Sequence, residues 1–148
     1  MRKPKTLYMG TTKINPSQTV GEIQRLLGQQ GAVAILTEYD NGEVSAVSFK
    51  IRIEGQEIPF RLPCRWGAIL ENFKSHKKRR TIRSDWESQS KRVAWRQIFR
   101  WIEAQLALVE TGMVKTEEVF MPYIQVGINE TLFDKLEQKK FKQLEYHA

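Results

Sequence analysis

Apolar residues in "TVGEIQRLLGQQG" fall at Val20, Ile23, Leu26 and Leu27, three and four positions apart, and therefore line one face of a helix. Thr19 and Glu22 stand in capping-box spacing at its start, and Gly28 and Gly31 predict its end. Across "AVAILTEYDNGEVSAVSFKIRIEGQEIPFRLP" the period changes from helical to alternating, and β-branched residues are interrupted at "DNG" and "EGQ". Three antiparallel strands are predicted, at about 32–39, 43–53 and 57–62. Val47, Phe49, Ile51 and Ile53 share a face of the second strand, as do Ile58, Phe60 and Leu62 of the third. Lys50, Arg52 and Arg61 point the other way, so a basic stripe is expected on the uncovered side of the sheet.

Helical spacing resumes in "CRWGAILENFK" through Trp66, Ile69, Leu70 and Phe73, then lapses in a run rich in Lys and Arg. Residues 75–84 are expected to form a basic mobile loop or hairpin tip. From Asp85 to about Thr111 the spacing predicts the longest helix, closed by Gly112 in a left-handed cap. Trp95, Ile98, Phe99, Ile102, Leu106 and Val109 form its apolar stripe, and Arg92, Arg96, Arg100 and Glu103 a separate polar stripe expected to be exposed. "KTEEVFMPYI" reads as a short helix stopped near Pro122, and 129–148 as a C-terminal helix with Leu132, Phe133, Leu136 and Leu144 on its docking side. Residues 1–16 have no clear period and end in the turn signal "NPS", which predicts an arm or an edge strand. The order of elements gives an α+β fold: an N-terminal helix, a three-stranded antiparallel meander packed against a long helix, and a helical C-terminal part. At 148 residues with 41% hydrophobic content, one domain over 1–148 is expected.

Charge changes this picture by its location. Residues 74–100 carry ten Lys or Arg against Asp85 and Glu87, a local +8, whereas the whole chain has +7. A focused cluster of one sign attracts a polyanion or an acidic partner, whereas dispersed charge mainly affects solubility. No run of about 18 apolar residues exists, and the N-terminal stretch lacks the apolar centre of a signal peptide, so no membrane association and a cytoplasmic location are expected.

Chemistry-bearing constellations are sparse. The single cysteine, Cys64, has no partner for a disulfide; Arg65 beside it would favour a thiolate, but the position fits a packed residue better. His76 and His147 are far apart in sequence, and no phosphate-cradling glycine pattern or serine elbow is present. Asp85 and Glu87 would hold Mg²⁺ only with a third carboxylate, and they read more simply as acids beginning a helix. No enzymatic activity, metal or cofactor is expected.

Binding is the stronger reading, because cations in register suit phosphates and flat aromatic rings suit unpaired bases. The candidate nucleic-acid-binding residues are Lys77, Lys78, Arg79, Arg80 and Arg83 in the loop; Lys91, Arg92, Arg96 and Arg100 on the long helix; and Lys50, Arg52 and Arg61 on the sheet. Trp86, opposite the helix's apolar stripe, is the candidate for stacking, whereas Trp66, Trp95 and Trp101 read as core or partly buried residues. These cations are expected to converge into one continuous basic track.

The stretch "RVAWRQIFRWIEAQLALVETGMVKTEEVFMPYI" at 92–124 resembles a segment of uncharacterised small proteins encoded by tailed bacteriophages and prophages. "TVGEIQRLLGQQGA" and "VSFKIRIEGQEIPFRLP" are similar to earlier parts of the same proteins, so the resemblance covers most of 19–124. It implies an infected bacterial cell as the setting and supplies no site. In architecture alone, the meander followed by a helix is similar to phage single-strand annealing proteins, which bind DNA in a basic groove and act as rings. The expected function is sequence-independent binding of single-stranded DNA in phage replication or recombination, and a second copy of the chain, in a homo-oligomer, is a candidate partner. The alternative expectation is a phage interaction protein that binds a host enzyme or defence component and inhibits or redirects it.

Overall fold

The computed structural model describes residues 7–76, 83–142 and 144, without the side chains of Arg83 and Ser84. Its first helix, α1 (Pro16–Gln29), starts three residues before the expected capping box. Asn15 is the N-cap, its side-chain oxygen accepting from the Ser17 N–H at 3.0 Å, with Pro16 following at the first helical position. Thr19 is instead buried inside the helix. The capping-box pattern was coincidental because Glu22 reaches away from the helix end, toward Arg96 of a later helix.

Strands β1 (Ala32–Asp40), β2 (Glu43–Ile53) and β3 (Gln56–Pro63) form an antiparallel meander in the order β1-β2-β3. Both hairpins turn on a residue followed by glycine, Asn41–Gly42 and Glu54–Gly55, and all four residues have positive φ, as the tightest hairpin turns require. Phe49 lies opposite Phe60 and Ile51 opposite Ile58, which fixes the register so that the expected apolar residues share one face. The Phe49 and Phe60 rings stack with centroids 5.2 Å apart.

Two helices follow, α2 (Trp66–Ser75) and α3 (Arg83–Glu110). At 28 residues α3 is about 42 Å long. It closes as expected at Gly112 (φ 78°): the Gly112 N–H bonds to the Val109 carbonyl and the Met113 N–H to the Leu108 carbonyl, satisfying two terminal acceptors. Trp95, Phe99, Ile102 and Leu106 of α3 pack with Val20, Ile23 and Leu27 of α1 and with the apolar face of the sheet in a buried cluster. A last group comprises α4 (Thr116–Phe120), a 3₁₀ turn (Met121–Tyr123), the short strands β4 (Gln125–Gly127) and β5 (Glu130–Thr131), and α5 (Leu132–Gln138). It anchors to the core through Phe120, whose ring meets those of Phe49, Phe60 and Trp101 at steep angles. A β-bridge joins Ile124 to Phe60 at the outer edge of β3.

The fold is α+β in the expected arrangement, with further local corrections. The loop expected at 75–84 is narrower, because Ser75 ends α2 and Arg83 already begins α3, and the rest of it after His76 lies outside the described residues. The β4–β5 hairpin was not anticipated. The C-terminal helix is far shorter than 129–148, because Lys140 and Phe141 take positive φ and turn the chain back, bringing Phe141 against Phe133. Among the described residues of the N-terminal segment there is neither a free arm nor a strand. Residues 7–10 form a turn, and two glutamines of α3 hold the segment: Gln97 donates to the Tyr8 carbonyl at 2.8 Å, and Gln89 to the carbonyls of Gly10 and Thr12 at 3.0 and 2.9 Å. Among the described residues, no helix is long and apolar enough to cross a membrane.

Candidate nucleic-acid interface

Helices α2 and α3 run antiparallel. Trp66, at the start of α2, has the Lys91 ammonium 4.7 Å from its ring centroid, while Phe73, near the end of α2, lines a pocket with Trp86 from the first turns of α3. The chain between Ser75 and Arg83 therefore leaves and re-enters at one end of this helical hairpin. Lys77, Lys78, Arg79 and Arg80 fall in that connection, outside the described residues, as does the side chain of Arg83. Those four cations alone account for four of the chain's +7.

The other expected cations do not form one track. Lys50, Arg52 and Arg61 project from the outer face of the sheet, whereas α3 packs against its inner, apolar face. The sheet itself separates the two groups. Arg61 is bound to Glu38 through two contacts of 3.0 and 3.3 Å, and Arg52 pairs with Glu57 at 3.3 Å. Lys50, opposite Ala34 and Pro59, is exposed and forms no ion pair among the described residues.

The polar stripe of α3 is not exposed along its length either. Arg96 is buried and donates to Glu22 of α1 at 2.8 Å, stacking on Phe99 at 4.4 Å; its Nε has no partner among the described residues. The hydrogen bond from Arg96 holds the Glu22 carboxyl below the usual carboxylate range. Arg100 pairs with Glu103 one turn further on, at 2.8 Å. Lys91 bonds to Glu43 and, at 3.3 Å, to Glu87, and the Glu43 bond is the main cause that raises its ammonium above the ordinary lysine range. The stripe was expected to face solvent because single-sequence periodicity cannot show that α1 and the N-terminal segment lie across it.

Arg92 differs. Its Nε and Nη2 donate to Gln89 Oε1 at 2.9 and 2.7 Å, and it forms no ion pair among the described residues. It lies between two clefts. One, of about 450 Å³, is bounded by the start of α1, the β1–β2 turn and α3. The other, of about 350 Å³, is lined by Gly10, Thr11 and Lys13 of the N-terminal segment, Phe73 of α2, and Asp85, Trp86, Gln89 and Arg92 of α3. The second opens at the end of the hairpin that carries the basic connection. Sequence reading singled out Trp86 and Arg92 but missed Lys13, Phe73 and Gln89, since their proximity depends on the docked N-terminal segment.

Asp85 sits in the first turn of α3, and Glu87 is engaged by Lys91. Among the described residues, no three His, Cys, Asp or Glu side chains gather as a metal site would require. Burial pushes the Cys64 thiol up to about 12, which fits a packed thiol and not a nucleophile. Compared with protein-family models, with curated proteins and with solved structures, the chain finds no match.

Proposed function

We propose that the protein is a non-enzymatic nucleic-acid-binding protein that takes single-stranded DNA, in phage replication or recombination, at the end of the α2–α3 hairpin. One observation carries this reading: most of the cations considered on α3 and the sheet are matched to acids at 2.8–3.3 Å, whereas four consecutive cations, Lys77 to Arg80, have no acid among them. Paired charges contribute little to a distant field, so what supports the reading is the dense run of like charge in the sequence at 77–80, beside described cations that are mostly matched to acids. The outer face of the sheet and the Arg96–Arg100 part of α3 then have structural roles, and the interface is narrower than a continuous track.

Titration of a fluorescently labelled single-stranded oligonucleotide at rising NaCl tests it. Contact with about four phosphates predicts roughly a 50-fold loss of affinity between about 50 and 200 mM salt, through counterion release from a single strand. Replacing Lys77, Lys78, Arg79 and Arg80 by alanine should abolish most of that dependence. Undetectable binding at low salt, or binding insensitive to salt, would refute the proposal.

A second reading, docking to a host protein, is favoured by one surface feature. Ile128 at the β4–β5 turn is 93% exposed, with Val126 and Met121 also exposed nearby in sequence. Pull-down from nuclease-treated bacterial lysate separates the two. A stoichiometric protein partner lost on Ile128→Asp, with no affinity for oligonucleotides, would favour this second reading.

A further inference from the structure

The pocket at the end of the hairpin has a composition that the salt-dependent contacts do not explain. Its volume of about 350 Å³ is at the lower end of ligand-binding pockets, about 300–1,000 Å³, and it brings two aromatic rings, Phe73 and Trp86, together with two cations, Lys13 and Arg92. An all-cationic groove would suffice to follow a phosphate backbone. Aromatic walls add affinity only for a flat, unpaired ring, because a base inside a duplex already has both faces stacked.

The pocket is also held in shape. Gln89 uses its amide N–H groups on the carbonyls of Gly10 and Thr12 and its oxygen on Arg92, so a single side chain fixes the N-terminal wall and the guanidinium. Two of the five N–H donors of Arg92 are thereby occupied, and three have no partner among the described residues. Gly10 closes the wall: a Cβ there would lie 2.7 Å from the Leu7 carbonyl oxygen, so the tight turn accepts no side chain without opening. Asp85, on the same lining, repels a phosphate and accepts from an exocyclic amino group, which favours the base and not the backbone on its side of the pocket.

We infer that this pocket receives one unpaired nucleobase of a bound single strand, stacked on Trp86 with Phe73 lining the same pocket, and with the adjoining phosphate on Arg92 and Lys13. This rests on the proposed oligonucleotide binding and adds a base-dependent contact to a charge-dependent one. A strand with bases is then bound more tightly than a strand of the same phosphate count without them.

The experiment compares a labelled single-stranded oligonucleotide with one of equal length whose sugars are abasic, at one salt concentration, for the wild-type protein and for Trp86→Ala and Trp86→Phe. Wild type should bind the abasic strand about fivefold to 100-fold more weakly, the range that stacking of one base supplies. Trp86→Ala should lose affinity for the intact strand and no longer distinguish the two, whereas Trp86→Phe keeps most of the discrimination. Equal binding of both strands by wild type overturns the pocket assignment and leaves the proposed function standing; absence of binding to either overturns both. Discrimination that persists unchanged in a folded Trp86→Ala variant also overturns the assignment. The wild-type comparison decides the matter even where that variant does not fold.

Discussion

Arg96 and Glu22 meet at 2.8 Å across the packing of α3 on α1, with the arginine side chain 8% exposed. The pair explains why a residue placed by periodicity on a solvent-facing stripe is interior: its charge was matched from a helix 74 positions earlier. Removing the acid leaves a guanidinium buried without compensation. Glu22→Ala is therefore expected to cost about 2–3 kcal/mol, less than the roughly 3–5 kcal/mol of a fully buried broken pair because the carboxylate is partly open to solvent. A fall in Tm of about 5–10 °C by calorimetry checks this.

The same pair sets an acid response. Glu22 has a carboxyl lowered by the Arg96 hydrogen bond, and Asp134 one lowered chiefly by the Thr131 backbone N–H that it accepts at 3.0 Å. A group depressed in the folded state contributes stability that is fully present above its unfolded pKa and lost as pH falls through its folded pKa. Stability should therefore decline from about pH 5 downward, and Glu22→Gln should flatten part of that decline. Thermal melts between about pH 6 and pH 3 measure both.

Gln89→Ala should release the N-terminal segment without unfolding the core, since it removes two bonds to the carbonyls of Gly10 and Thr12. With a net worth near 1 kcal/mol each, roughly 10–30-fold faster tryptic cleavage after Lys13 is expected, while the main thermal transition stays in place. Unchanged cleavage would mean that other contacts hold the segment.

Phe120→Ala removes the ring that Phe49, Phe60 and Trp101 surround, and should cost about 3–5 kcal/mol. The loss is expected in urea denaturation as a lower midpoint with little change in slope.

Arg52→Ala, by contrast, breaks an exposed pair with Glu57 and should alter stability by less than about 1 kcal/mol. If the interface is confined to the hairpin end, it should also leave oligonucleotide affinity within about twofold. A larger loss would return the outer face of the sheet to the binding surface.

The strands were legible almost to the residue, because alternation, "DNG" and "EGQ" all constrain the same register. Helix α3 was legible for a similar reason: its apolar stripe and Gly112 agree on where it runs and ends. What could not be read were relationships between distant segments. Nothing near Gln89 or Gln97 in sequence indicates that they hold residues 8–12, and nothing near Arg96 indicates Glu22. The candidate site shared that limit. The sequence locates its cations, but whether each faced an acid depended on which elements lay opposite. The truncated α5 has a more local cause, since consecutive left-handed residues at Lys140 and Phe141 override helical spacing in a way that composition does not signal.

Ile124, bridged to Phe60, occupies the lateral flank of β3, while β1 is the other outermost strand of the meander. Recruitment of a neighbour by extending the sheet is thus obstructed at the β3 side, and a homo-oligomer assembled in that manner would join β1 to β1 about a twofold axis. Among the described residues no further strand lies beside β1, so such a join would use up that border on both copies and would end at a pair, without extending into a ring or a fibre.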